Sequence, residues 1–82
     1  SMDYKFDKMP LINFIKTLTI YRGMSLRKLL KKLHEEKGYS SSYSGFYNKL
    51  KNQTLKFSEV YDIAESLEYE IILKDIRSFS KK

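Results

Sequence analysis

The stretch SSSYSGFYNKLKN, residues 40–52, predicts the helix around which the rest of the chain is organised. Its opening serines are of the residue type that caps helix N-termini. Tyr43, Phe46, Tyr47 and Leu50 recur at spacings of three and four residues, which places them on one face of a helix. The side chains predicted for the opposite face are Ser44, Gly45, Asn48, Lys49 and Asn52. Such a polar, slightly basic face suits the major groove of DNA, but an ordinary amphipathic surface helix has the same pattern.

The composition restricts the kinds of site that the chain can carry. Its 82 residues make one small domain, for which a partner subunit is a reasonable expectation. There is no cysteine, and the single histidine, His34, cannot build a zinc site alone. His34 stands beside Glu35 and Glu36, but consecutive helical residues do not face each other, so an enzyme is not expected. We therefore predict no cofactor, no metal and no catalytic residues.

No apolar run has the length of a membrane span, and no signal peptide is visible. The sequence therefore predicts a cytoplasmic protein without membrane contact.

The charge of the chain is unevenly distributed. The formal net charge is +6, yet residues 16–56 hold ten Lys and Arg against two acids, whereas residues 57–73 hold five acids and no base. This pattern predicts a basic surface that attracts a polyanion, and an acidic fourth helix that faces away from it.

Three further helices are predicted from apolar spacing and end signals. The first covers residues 10–22, with Pro10 at its first position and Gly23 after its end. The second lies between a Ser25 cap and Gly38. The fourth in chain order is capped by Ser58. Its predicted buried face consists of Val60, Ile63, Ala64 and Leu67.

The two ends of the chain carry weaker signals. Residues 1–8 alternate aromatic and charged side chains, which predicts an arm or a short strand. Residues 69–74 alternate similarly and predict a strand, which would pair with residues 3–6 or with the same strand of a second subunit. Residues 77–82 are expected to fray.

Three motifs in this order resemble the phage-repressor (Cro/C1-type) helix-turn-helix family. They are MSLRKLL at residues 24–30, NKL at 48–50 and FSEVYDIAESL at 57–67. The resemblance covers roughly residues 9–70 and implies a mainly α, lambda-repressor-like bundle of four to five helices. In that organisation, residues 9–68 form the DNA-binding domain, and residues 69–82 form a dimerisation segment and tail.

The resemblance also implies roles for particular residues. On the third helix, at about residues 42–51, the base-reading residues would be Ser42, Ser44, Gly45, Asn48 and Lys49. The phosphate-binding residues implied by the resemblance are Ser25, Arg27, Asn52, Gln53 and Thr54. Three lysines are added from their charge and position, namely Lys28 in the first turn of the second helix, Lys51 and Lys56. This sequence departs from the family at Leu30, where a small alanine is usual, and at Gln53, where glycine is frequent. Residues 34–41 also replace the usual tight turn with a longer segment.

Two functions follow from this pattern. The leading expectation is a sequence-specific regulator of transcription, of the repressor kind, that binds double-stranded DNA as a homodimer through Tyr69, Ile71 and Leu73. The alternative is a protein-interaction module of the same fold, such as an antitoxin or a phage accessory factor. In that case the basic face would meet an acidic partner or serve only solubility.

Overall fold

Four α-helices make up the body of the computed structural model, which describes residues 2–78. The helices are α1 (Leu11–Tyr21), α2 (Leu26–Lys37), α3 (Tyr43–Asn52) and α4 (Phe57–Ser66). The prediction of a mainly helical bundle is confirmed, with four helices in the described part of the chain.

Local end signals set the bounds of α2 and α3. The Ser25 hydroxyl accepts a hydrogen bond from the Lys28 amide at 3.1 Å, and α2 ends at Gly38, whose φ of +75° lies in the left-handed region that favours glycine. At α3, the cap among the three serines is Ser42, whose hydroxyl accepts from the Gly45 amide at 3.3 Å. The longer segment expected after His34 is therefore one more turn of α2 followed by a connector, residues 38–42.

The starts of the other two helices differ slightly from the prediction. Pro10 precedes α1 as its N-cap instead of forming its first residue. The cap of α4 is Lys56 and not Ser58, which lies within the first turn. The physical reason is Glu59, whose carboxylate reaches back and accepts from the Lys56 amide at 2.8 Å. A glutamate at the third helical position that bonds the cap amide is one half of a capping box.

The hydrophobic core lies around α2, which packs against all three other helices, while α1 also packs against α3. Its most deeply buried side chains are Leu29, Leu33, Leu50, Ile63 and Leu67. Leu30 also belongs to this core, so the bundle accommodates the larger residue where the resemblance expects alanine. Burial of α2 on three sides leaves its remaining face, and the outward face of α3, for contacts with other molecules.

The predicted strand at residues 69–74 is wrong for the described chain, because residues 2–78 contain no strand and residues 69–78 are irregular. Side chains, not backbone ladders, hold the ends together. The Tyr4 ring stacks on Tyr21 at 4.6 Å and meets the edge of Tyr69 at 5.8 Å. The Arg22 guanidinium lies 4.0 Å from the Tyr69 ring and donates to the Leu67 carbonyl at 2.7 Å. We call this cluster the terminal clasp.

In the N-terminal segment, residues 2–9 form an arm without helix or strand, and Phe6 packs edge-on against Phe14 at 5.0 Å. Residues 77–82 were predicted to fray, and residues 79–82 of this segment lie outside the described range. Between residues 2 and 78, none of the helices has both the length and the apolar character that crossing a membrane requires.

Candidate nucleic-acid interface

The two predicted faces of α3 are confirmed by burial. Phe46 and Leu50 are buried, and Tyr43 and Tyr47 are half-buried against the core. Every side chain assigned to the opposite face is exposed, namely Ser44, Gly45, Asn48, Lys49 and Asn52. The apolar face anchors α3 on α1 and α2 and leaves amide, hydroxyl and ammonium groups directed outward.

At the N-terminus of α3, the predicted base-reading residues already have structural roles. The Ser42 hydroxyl is engaged as the helix cap and lies 3.5 Å from the Ser44 hydroxyl. A Cβ atom added at Gly45 would lie 3.3 Å from the Ser42 hydroxyl oxygen, which is a tight contact. Gly45 thus keeps the cap undisturbed and gives the surface a flat place that a large ligand can approach closely.

Lys49 has a partner on α4. Its ammonium lies 3.5 Å from the Glu59 carboxylate. Exposed ion pairs of this kind contribute only about 0–1 kcal/mol, so a phosphate or a base can replace the carboxylate at small cost. Lys49 therefore remains available, but it is not a free cation before a ligand arrives.

The N-terminus of α2 lies next to that of α3. The Arg27 guanidinium stacks on the Tyr43 ring with 4.0 Å between the guanidinium carbon and the ring centroid. Lys28 is exposed, and its backbone amide is used by the Ser25 cap. Arg27 thus stands beside the start of the predicted base-reading helix, within one turn of the predicted phosphate-binding residues Ser25 and Lys28.

The end of α3 and the loop after it expose most of their predicted phosphate-binding side chains, which are Lys51, Asn52, Thr54 and Lys56. Gln53 differs from them, because its side-chain oxygen accepts a hydrogen bond from the Leu11 amide at 3.0 Å and so caps α1. Its φ of +56° lies in the left-handed region, which explains why glycine suits this position. Gln53 is therefore a structural residue. Its side-chain oxygen is used by the Leu11 amide, so only its side-chain nitrogen can donate to a phosphate.

The acids of α4 are closer to the basic segment than the charge pattern predicted. Lys37 at the end of α2 pairs with Glu65. The Tyr39 hydroxyl of the connector donates to the Asp62 carboxylate at 2.7 Å. Burial, and then the hydrogen bond to Asp62, raise the pKa of Tyr39. These contacts fix the connector to α4 and make the acidic and basic surfaces meet along one edge.

That edge borders a groove of about 570 Å³ between the end of α2, α3 and the start of α4. Ser42, Gly45, Lys49 and Lys56 line it, so the structure brings together residues predicted for base reading and for phosphate binding.

A second groove, which was not predicted from the sequence, lies between α2 and the connector. It has a volume of about 180 Å³ and is lined by Arg27, Leu30, Lys31, His34, Ser41 and Tyr43. Arg27, Lys31 and His34 are spaced by four and three residues, and this spacing was the signal in the sequence that could have identified their common face.

The predicted dimerisation residues are in different environments. Tyr69 belongs to the terminal clasp, whereas Ile71 and Leu73 are exposed. Ile72 and Ile76 are also exposed. The clasp leaves the segment after Tyr69 as the part of this region that is open to a second molecule.

Comparison with known proteins gives no match to a protein-family model, to a curated protein or to a solved structure. The function of the chain is therefore inferred from its own geometry.

Proposed function

We propose that this chain is a sequence-specific regulator of transcription that binds double-stranded DNA, with α2 and α3 acting as a helix-turn-helix. In this proposal α3 enters the major groove, and the N-terminus of α2 and the loop after α3 hold the backbone phosphates.

The outward face of α3 carries this proposal. Asn48 and Lys49 are exposed there, while the opposite face of the same helix is buried. Asparagine can form two hydrogen bonds to adenine, and lysine can donate to guanine. No residue of α3 on this face is acidic, and the one carboxylate beside it, Glu59 of α4, is paired with Lys49.

The surroundings of α3 support the same function. Arg27 stands beside the start of the helix, and Lys51 and Lys56 lie near its end, so cations flank the polar face at both ends. Cations that neutralise phosphates supply most of the sequence-independent affinity of a DNA-binding protein.

We further propose a homodimer, because a single helix reads only a few base pairs and such domains pair two copies one DNA turn apart. Ile72 and Leu73 support this proposal, because their side chains are 69% and 96% exposed in the single chain. A solvated apolar segment of this kind is typical of a surface that a partner covers.

Sedimentation of the intact chain and of a chain ending at Glu70, which keeps the clasp, tests the dimer. A monomeric intact chain, or a shortened chain that still dimerises, contradicts it.

The DNA-binding proposal is tested with the matched pair Asn48→Ala and Asn52→Ala. Selection of a binding site from random duplexes supplies the specific DNA, and fluorescence anisotropy gives its affinity and that of random DNA. Asn48→Ala should lose about 1–3 kcal/mol on the specific site and little on random DNA, because a base contact is removed. Asn52→Ala, which stands at a phosphate position, should weaken both equally. Failure to select any site refutes the function, and equal losses for Asn48→Ala refute its base-reading role.

One observation favours the alternative of a protein-interaction module. Phe57 and Tyr61 are 72% and 49% exposed, and their spacing of four residues places them on one face of α4. If Phe57→Ser abolishes the biological activity while DNA affinity and dimerisation stay unchanged, protein binding is the main function.

A further inference from the structure

The groove between α2 and the connector has the chemistry of a phosphate site. Arg27 and Lys31 line it on the α2 side, and Ser41 of the connector lines the opposite side. Leu30 contributes an apolar floor, and no carboxylate lines the groove. At about 30 Å³ for each water molecule, a volume of about 180 Å³ holds roughly six waters, which is ample for one phosphate group.

Neighbouring contacts hold these groups in position. The Tyr43 ring supports the Arg27 guanidinium from one face, which leaves the N–H groups at its edge available to an acceptor. The Nδ1 atom of His34 lies 2.6 Å from the Tyr39 carbonyl oxygen. A carbonyl can only accept, so Nδ1 is the donor, and His34 acts as a positioning residue that holds the connector against α2.

The cations of this groove differ from the three lysines of the basic segment that form ion pairs. Lys32, Lys37 and Lys49 form ion pairs with carboxylates. In contrast, neither Arg27 nor Lys31 forms an ion pair with any residue between 2 and 78. Two unneutralised cations on one wall of a groove without acids attract an anion.

We propose that this groove binds a phosphate of the DNA backbone through Lys31 and Ser41, next to the phosphate position of Arg27. The proposal rests on the proposed function and extends the DNA contact one helical turn along α2. Arg27 and Lys31 are four residues apart, which corresponds to about 6 Å along the helix axis. A backbone strand that passes the start of α2 therefore meets both side chains in succession.

Lys31→Ala and Lys32→Ala form a matched pair for the test. The two lysines are adjacent on α2, and each change removes one positive charge, but Lys32 pairs with Glu36 at 3.2 Å and does not line the groove. Affinity for one duplex is measured from 50 to 200 mM salt. Loss of one phosphate contact reduces the slope of log affinity against log salt concentration by about 0.9. Between 50 and 200 mM salt, the affinity of the wild type should therefore fall about 3.5-fold more than that of Lys31→Ala. Lys32→Ala should retain the slope of the wild type.

The outcomes distinguish this inference from the function on which it rests. If the wild type binds no DNA, both the proposed function and the phosphate site in this groove are refuted. If the wild type binds DNA and Lys31→Ala retains its slope, or Lys32→Ala flattens equally, the groove is not a DNA contact although the protein binds DNA. A further arm measures thermal stability with inorganic phosphate. Stabilisation of the wild type that Lys31→Ala loses, combined with an unchanged DNA slope, assigns the groove to a free phosphate compound and overturns the DNA assignment.

Discussion

Replacing Gln53 with alanine should lower the stability of the domain, although the residue is exposed and far in sequence from the helix that it caps. Its side-chain oxygen accepts from the Leu11 amide at 3.0 Å, so alanine removes this side-chain cap of α1. Loss of a helix N-cap costs about 1 kcal/mol. The left-handed φ of +56° persists in the alanine variant, because the backbone between α3 and α4 still requires it.

Replacing Gln53 with glycine separates the two properties of this residue. Glycine also loses the cap, but it relieves roughly 1 kcal/mol of the cost that a side chain has in the left-handed region. We therefore expect the glycine variant to be close to the wild type and about 1 kcal/mol more stable than the alanine variant. For a domain of this size, 1 kcal/mol corresponds to a difference of about 4–8 °C in Tm.

Thermal and urea denaturation followed by circular dichroism measure these differences. Equal stability of the alanine and glycine variants would refute the argument from φ. Wild-type stability of the alanine variant would refute the argument from the cap. Gln53→Glu is a further control, because it keeps an acceptor at the helix N-terminus, where the helix dipole favours a negative charge. It should retain stability but weaken DNA binding if the loop contacts phosphates.

Three other changes test the packing of the bundle. Ser66→Ala should raise the free energy of unfolding by about 1 kcal/mol, because the Ser66 hydroxyl is buried without a hydrogen-bond partner among residues 2–78 and alanine also favours the helix; a lower urea midpoint would contradict this. Tyr39→Phe should make stability less sensitive to alkaline pH. The folded state raises the pKa of Tyr39 above its unfolded value near 10, so its contribution is present below about pH 10 and declines as the pH rises through the folded value. The exposed Tyr61→Phe is the control, and an identical alkaline profile for both variants would be inconsistent with the raised pKa. Tyr4→Ala should lower the Tm by removing ring contacts to Tyr21 and Tyr69, and an unchanged Tm would mean that the clasp contributes nothing to stability.

The helices were predictable because their signals are local. Ser25 and Gly38 delimit α2 by hydrogen bonding and by backbone conformation, and both effects depend on residues within one turn. The start of α4 was misplaced because the serine rule competed with Glu59, whose carboxylate bonds the amide three residues earlier. The strand at residues 69–74 failed for a different reason. An alternating pattern forms a strand only when another strand pairs with it. Within the described chain no strand pairs with residues 69–74, and Tyr69 instead packs its ring against Tyr4.

The candidate site was predictable to the extent that it depends on one helix. The outward face of α3 follows directly from the spacing of Phe46 and Leu50. The bond from Leu11 to Gln53 spans 42 residues, and no local pattern indicates it. The pairing of Lys49 with Glu59 likewise depends on how α4 packs beside α3. Sequence therefore identified which side chains are exposed, but not which of them already have partners inside the domain.

The pair between Lys49 and Glu59 affects what a salt titration of DNA binding would count. If the chain binds DNA as proposed, the Glu59 carboxylate would lose its ammonium partner and attract a sodium or potassium ion from solution. That uptake offsets the release of one counterion from the DNA, so the measured number of ions released falls below the number of cations that touch phosphate. In the proposed complex Glu59 would therefore compete with DNA for Lys49, and most strongly with random duplexes, since those offer Lys49 no base in exchange.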